Sequence, residues 1–171
     1  MTELPSVRSL PTLPASVAGL VEMVPVEDIM QRILNEAFPD MAEDIVTQVE
    51  QDAFSLHDII ILVRRTAAYG VWGGDHRFID NAGLVVHVYA GGVDADERAA
   101  LVSEAVRVAI RNAWLEPKWY PDLGQLKKAH MVQDPVRKTD WMPSSGPVQY
   151  ADLPHGWVRY ESRYDLFFRK P

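Results

Sequence analysis

The residues best suited to move protons near neutral pH are His57, His76, His87, His130 and His155. They fall on separate stretches, and no two have the helical spacing of a metal-binding pair. Asp75, His76 and Asp80, in GDHRFID, come closest to an oxygen-rich metal site. They match no metal template, and the polarity of a glycine-containing loop accounts for them. In PDLGQLK, Pro121, Asp122, Gln125 and Lys127 follow the order of the acidic and lysine elements of a restriction-type nuclease. That chemistry needs its two acidic elements on neighbouring strands, and a gap of two residues cannot place them there. The paired carboxylates Glu27 with Asp28, and Asp94 with Asp96, fall at expected helix starts, where the helix dipole favours them. The chain carries no nucleophile elbow, no phosphate-binding glycine loop and no dinucleotide fingerprint. No catalytic residue, metal or cofactor is expected from these patterns.

The sequence is richer in residues that make contacts. Arg64 and Arg65 end the most apolar run, and Trp72 sits among Gly70, Gly73 and Gly74. Trp119, Tyr120 and Trp141 ride on proline-rich connections. Phe167 is the apolar residue on the otherwise charged face of VRYESRYDLFFRK. Arg, Trp and Tyr dominate interface hot spots, so these seven are the candidate subunit or partner interface.

Something must position them. At 171 residues, with 47% hydrophobic and 24% charged residues, the chain suits one folded core. A net charge of -7 argues against gripping nucleic acid, because phosphate affinity comes from lysine and arginine. With no cysteine, disulfides and thiolate metal sites are excluded. MTELPSVRSLPTLP lacks a basic stretch leading into an unbroken apolar run and is not read as a signal peptide. No window approaches the ~20 apolar residues of a membrane helix, so no membrane is expected.

Residues 1–25 carry Pro5, Pro11, Pro14 and Pro25, which block helix and central strand alike, and are read as an extended arm. The arm is either unstructured or laid on its own domain or a neighbouring subunit. Residues 26–171 form the single domain. VEDIMQRILNEAF places Ile29, Ile33 and Ala37 beside Met30, Leu34 and Phe38, an amphipathic helix stopped by Pro39. DIVTQVEQD is a short strand, and the β-branched run in SLHDIIILVRRTA is a stronger one. A glycine loop leads to a third strand, NAGLVVHVYAGG. Asp94 and Glu97 have capping-box spacing ahead of a long helix. Leu101, Ala105, Val108 and Ala109, with Val102, Val106, Ile110 and Ala113, give that helix a wide apolar face.

Regularity fades from Leu115 to His155, a proline-rich excursion in which only QLKKAHMVQD reads as a strand. In the last strand Val158, Tyr160, Tyr164, Leu166 and Phe168 face the core, and Arg159, Glu161, Arg163 and Asp165 form a charged row, solvated in a monomer or facing the next subunit or the lumen in a ring. The fold class is α+β, a mostly antiparallel sheet with two helices on one face.

DIIILVRRTAAYG, followed by FIDNAGLVVHVYAGGVDADERAALVSEAVRVAIRNAW and closed by GWVRYESRYDLFFRK, resembles the tail terminator proteins of long-tailed phages, particularly those of actinobacterial hosts. The resemblance spans residues 26–171 and is one of element order. It implies an antiparallel sheet flanked by two helices, assembled as a six-membered ring on the finished tail tube. Such a ring ends tube polymerisation and joins the tail to the head connector, and DNA passes through its lumen. Its partners would be further copies of itself, the major tail tube protein and the connector or stopper protein. It would be assembled in the host cytoplasm and reside in the virion neck. The alternatives are another neck component, a tail-tube relative, or a small phage hydrolase or nuclease.

Overall fold

Val26, Ile29, Met30, Ile33 and Leu34 recur at three- and four-residue intervals, and all five are buried along one side of α1 (Val26–Ala37). The computed structural model describes residues 26–50, 52–68, 79–138 and 153–169. The arm, the loop holding Trp72, Asp75 and His76, and the stretch holding Trp141 lie outside them. Pro39 ends α1 as expected, and a 3₁₀ turn, Pro39–Asp44, takes its place. The strand expected over DIVTQVEQD shrinks to β1 (Ile45–Val46). The residues that follow it form the single-turn helix α2 (Ala53–Leu56).

The other strands are β2 (Ile59–Ala68), β3 (Ile79–Ala90), β4 (Gln125–Lys138) and β5 (Val158–Arg169), with the long helix α3 (Ala95–Leu115) between β3 and β4. The sheet order is β1-β2-β3-β5-β4. The β1–β2 pair is parallel and the other three pairs are antiparallel, so the domain is an α+β fold on a five-stranded mixed sheet. β3 and β5 pair without interruption from Ile79↔Arg169 to Ala90↔Val158. No helix among the described residues is long and apolar enough to cross a membrane.

Both long helices lie on one face of the sheet. Their buried side chains meet Ile61 and Val63 of β2, Leu84, Val86 and Val88 of β3, Leu126 of β4, and Tyr164, Leu166 and Phe168 of β5. Each fully buried side chain of this size contributes ~1.5–3 kcal/mol. The alternation read in β5 therefore holds on its apolar side. Its charged side stays only partly in water: Arg159 and Glu161 are 6% and 5% exposed, whereas the Arg163 side chain is 56% exposed. The sheet's second face is partly covered, since Ile60, Leu62 and Tyr89 form a smaller cluster with Val46, Val49, Phe54 and Trp157.

Two other expectations change. Asp94 adopts a left-handed backbone (φ 59°) and its side chain makes no capping hydrogen bond, so the capping box does not form. The buried side of α3 is Ala95, Ala99, Ser103, Val106 and Ile110, whereas Leu101 and Val108 point outward at 71% and 46% exposure. A sheet contacts only part of a helix's circumference, and small residues let α3 approach it closely. The Leu115–His155 excursion is also more regular than expected. β4 runs past QLKKAHMVQD to Lys138 and takes in Pro135. As an edge strand it tolerates a residue without an amide donor, and it shifts register between Gln133 and Val136.

Candidate functional site

The five residues singled out by type that lie among the described ones, Arg64, Arg65, Trp119, Tyr120 and Phe167, do not gather into one surface. Arg64 and Arg65 lie inside β2, not at its end. Arg65 is an internal strut. Its guanidinium reaches both oxygens of Asp80 at 3.2 and 3.4 Å, and its backbone amide donates to Glu27 at 2.9 Å. Arg64 is more open, donating to the carbonyl of Thr47 at 3.1 Å, with Glu27 at 3.8 Å. The carboxylate of Glu27 therefore serves β2 as well as the first turn of α1.

Tyr120 is buried, and its hydroxyl donates to Glu36 at 3.0 Å. Burial, then this hydrogen bond, pushes the phenol up to about 12, so it stays protonated at neutral pH. Lys118 holds the same carboxylate at 3.0 Å and keeps it below the usual range despite some desolvation. Together they close one end of a groove of about 370 Å³ between α1 and α3. Trp119 is 44% exposed, with the Arg169 guanidinium 5.6 Å from its ring centre. Phe167 is half-buried, paired with Asn81 of β3 and Lys128 of β4, whose ammonium stands 5.8 Å from the ring centre. A strand neighbour covers it, which the two-residue alternation could not reveal.

On the sheet face opposite the two long helices, cross-strand pairing builds a row of polar groups. His87 lies opposite Glu161. Arg163 donates to Glu161 at 2.9 Å, and Lys138 approaches it at 3.6 Å. Desolvation lowers His87 to about 4, so the imidazole is neutral at pH 7. Burial pushes Glu161 up, but the hydrogen bond from Arg163 and the nearby cations outweigh it and hold the carboxyl below its usual value. The row is a neutralised, structural arrangement. Among the described residues no three His, Asp or Glu side chains cluster to hold a metal.

Two further surfaces were missed by reading residue types alone. One lies at the β1 edge. Residues 39–58 hold six carboxylates and no lysine or arginine, and a cleft of about 150 Å³ there is lined by Glu43, Asp44, Glu50 and Asp52, with His57 2.7 Å from Asp44, around Val46, Ala53, Leu56 and Ile60. The other lies at the β4 edge, where β4 carries four Lys or Arg against one Asp. There a groove of about 350 Å³ between α3 and β4 has an apolar floor, including Ile110, Trp114 and Met131, beneath Arg107, Arg111, Lys128 and His130. The signal for both was present in the charge count of each segment. It becomes spatial only once the strand order puts those segments on opposite edges.

Comparison with protein-family models finds no match to the chain, and comparison with curated proteins finds none either.

Proposed function

We propose that this protein is a virion structural protein, a tail terminator of a long-tailed phage. Its copies assemble into a ring on the head-proximal end of the tail tube, stop tube polymerisation and present a surface to the head connector, while DNA passes through the lumen. The observation that carries this reading is the inequality of the sheet's two edges, acidic at β1 and basic at β4. A ring of identical subunits is heterologous, so each copy must offer two different surfaces that fit one another. Two helices on one sheet face, in the element order noted in the sequence, further support it.

The experiment is deletion of the gene in the phage that carries it, followed by electron microscopy of the lysate. Tails of uncontrolled length, or full-length tails that fail to join heads, are expected. Normal virions from the deletion would end the proposal.

A further inference from the structure

We infer that the acidic cleft at the β1 edge of one copy seats on the basic groove at the β4 edge of the next, head to tail. The inference rests on the self-association in the proposed function and names the surfaces that make it, but it does not depend on the tail.

The two edges complement each other in charge and in apolar character. At the β1 edge Glu43, Glu50 and Asp52 are exposed around the cleft, and Leu56, beside them, is 72% exposed. At the β4 edge Lys127, Lys128 and Arg111 are exposed, and Trp114 in the groove is 37% exposed. An exposed leucine sharing a cleft with carboxylates is matched to an exposed tryptophan sharing a groove with cations. Apolar contact would supply the affinity, and the charges the orientation and encounter rate.

β4 itself is unsuited to joining sheets edge to edge. Lys127, Lys128 and Pro135 lie along it, and its register with β5 shifts at three places. Such features keep exposed edges from pairing indiscriminately. The groove beside β4, and not its backbone, is therefore the surface on offer. The occupant is a second copy because the complementary surface belongs to this same chain, on the opposite edge of the same sheet. Neither surface complements itself: two acidic clefts repel, and so do two basic grooves. The contact is thus heterologous, and it propagates until the rotation between copies closes a ring.

The test uses the full chain in two charge-reversed forms, Glu50→Lys with Asp52→Lys, and Lys127→Glu with Lys128→Glu. All four positions are exposed, and circular dichroism of each form should match the parent. By analytical ultracentrifugation at low salt the parent should sediment as an oligomer, dissociating as salt rises toward about 1 M, where the screening length falls to ~3 Å. Each reversed form alone should be a monomer. An equimolar mixture of the two should regain the parental mass, because each altered edge then meets its new complement.

A parent that stays monomeric at its highest soluble concentration overturns the inference. So does a reversed form that assembles like the parent, or a mixture that stays monomeric. Assembly through these edges without any effect on tail length would sink the tail reading and leave the interface standing. Length control by variants that assemble normally would do the reverse.

Discussion

His87 and Glu161 face each other across β3 and β5, with the imidazole Nδ1 3.8 Å from a carboxylate oxygen and both side chains almost wholly buried. The histidine is held neutral and the carboxylate charged, each by its surroundings: desolvation for the first, chiefly Arg163 and Lys138 for the second.

Stability should therefore depend on pH through His87. Its folded value, about 4, lies below its ordinary 6.5, so as pH falls the unfolded chain takes up the proton first. The stabilisation is fully present above about pH 6.5 and is lost as pH falls toward about 4, an effect of up to about 3 kcal/mol. Urea unfolding across this range should show the loss, and His87→Gln, which cannot take the proton, should flatten it. An unchanged slope in the variant would place the loss elsewhere.

Glu161→Ala should destabilise more than removal of an exposed charge, by about 1.5–3 kcal/mol, because the nearly buried carboxylate's charged hydrogen bond from Arg163 is lost. Thermal unfolding beside Glu104→Ala, whose pair with Arg107 is exposed, supplies the scale. Equal shifts in the two variants would show that burial of Glu161 matters little.

At the α1–α3 corner, Tyr120→Phe keeps the buried ring and removes the hydroxyl that donates to Glu36. A loss of ~1 kcal/mol is expected, while Lys118→Ala, at an exposed pair, should stay within ~0.5 kcal/mol. Chemical denaturation of both variants ranks the two contacts directly.

Gly91 lies against Trp157 so closely that a Cβ there would come within 2.5 Å of the indole. Gly91→Ala should cost ~1–3 kcal/mol through overpacking. The indole also meets Phe54 edge-on at 5.0 Å, so the strain would reach the cluster under α2. Truncating the ring with Trp157→Leu should make the two substitutions non-additive in a double-mutant cycle. Simple additivity would mean that the indole moves aside freely.

Arg65→Ala should destabilise by ~3 kcal/mol and Arg64→Ala by less than about 1 kcal/mol, although the two are neighbours. Of the two, it is Arg65 that pairs with the largely buried Asp80. Differential scanning calorimetry would separate them. The pair was singled out for its residue type and its expected place at the end of the apolar strand, and β2 continues past it to Ala68.

These cases mark what could be read in advance. α1, the β-branched run of β2 and the apolar side of β5 announce themselves because one period runs through each and one face is buried. The Arg159–Glu161 row was misassigned to solvent because alternation reports which side a residue takes, not what covers that side. Tyr120 was placed on a surface because its proline-flanked segment looks like a loop, yet Glu36, far away in sequence, draws it inward. β1 shrank because its pairing with β2 offers only two parallel partners. The opposed edge charges lie in plain view as counts, but which edge each count occupies depends on β5 entering between β3 and β4.

That insertion sets the order in which the molecule can form. β2 and β3 can pair as a local hairpin early, and α3 can coil as soon as it exists. Among the described strands β4 pairs only with β5, the strand that comes after it, so that pairing waits until β5 arrives. The central β3–β5 ladder joins Ala90 to Val158 across the whole of α3 and β4, so loop closure must precede any gain from the pairing. Folding should be slow for a chain of this size. During synthesis the domain would wait as an incomplete sheet with its core open on one side, until its last strand leaves the ribosome and completes both neighbours at once.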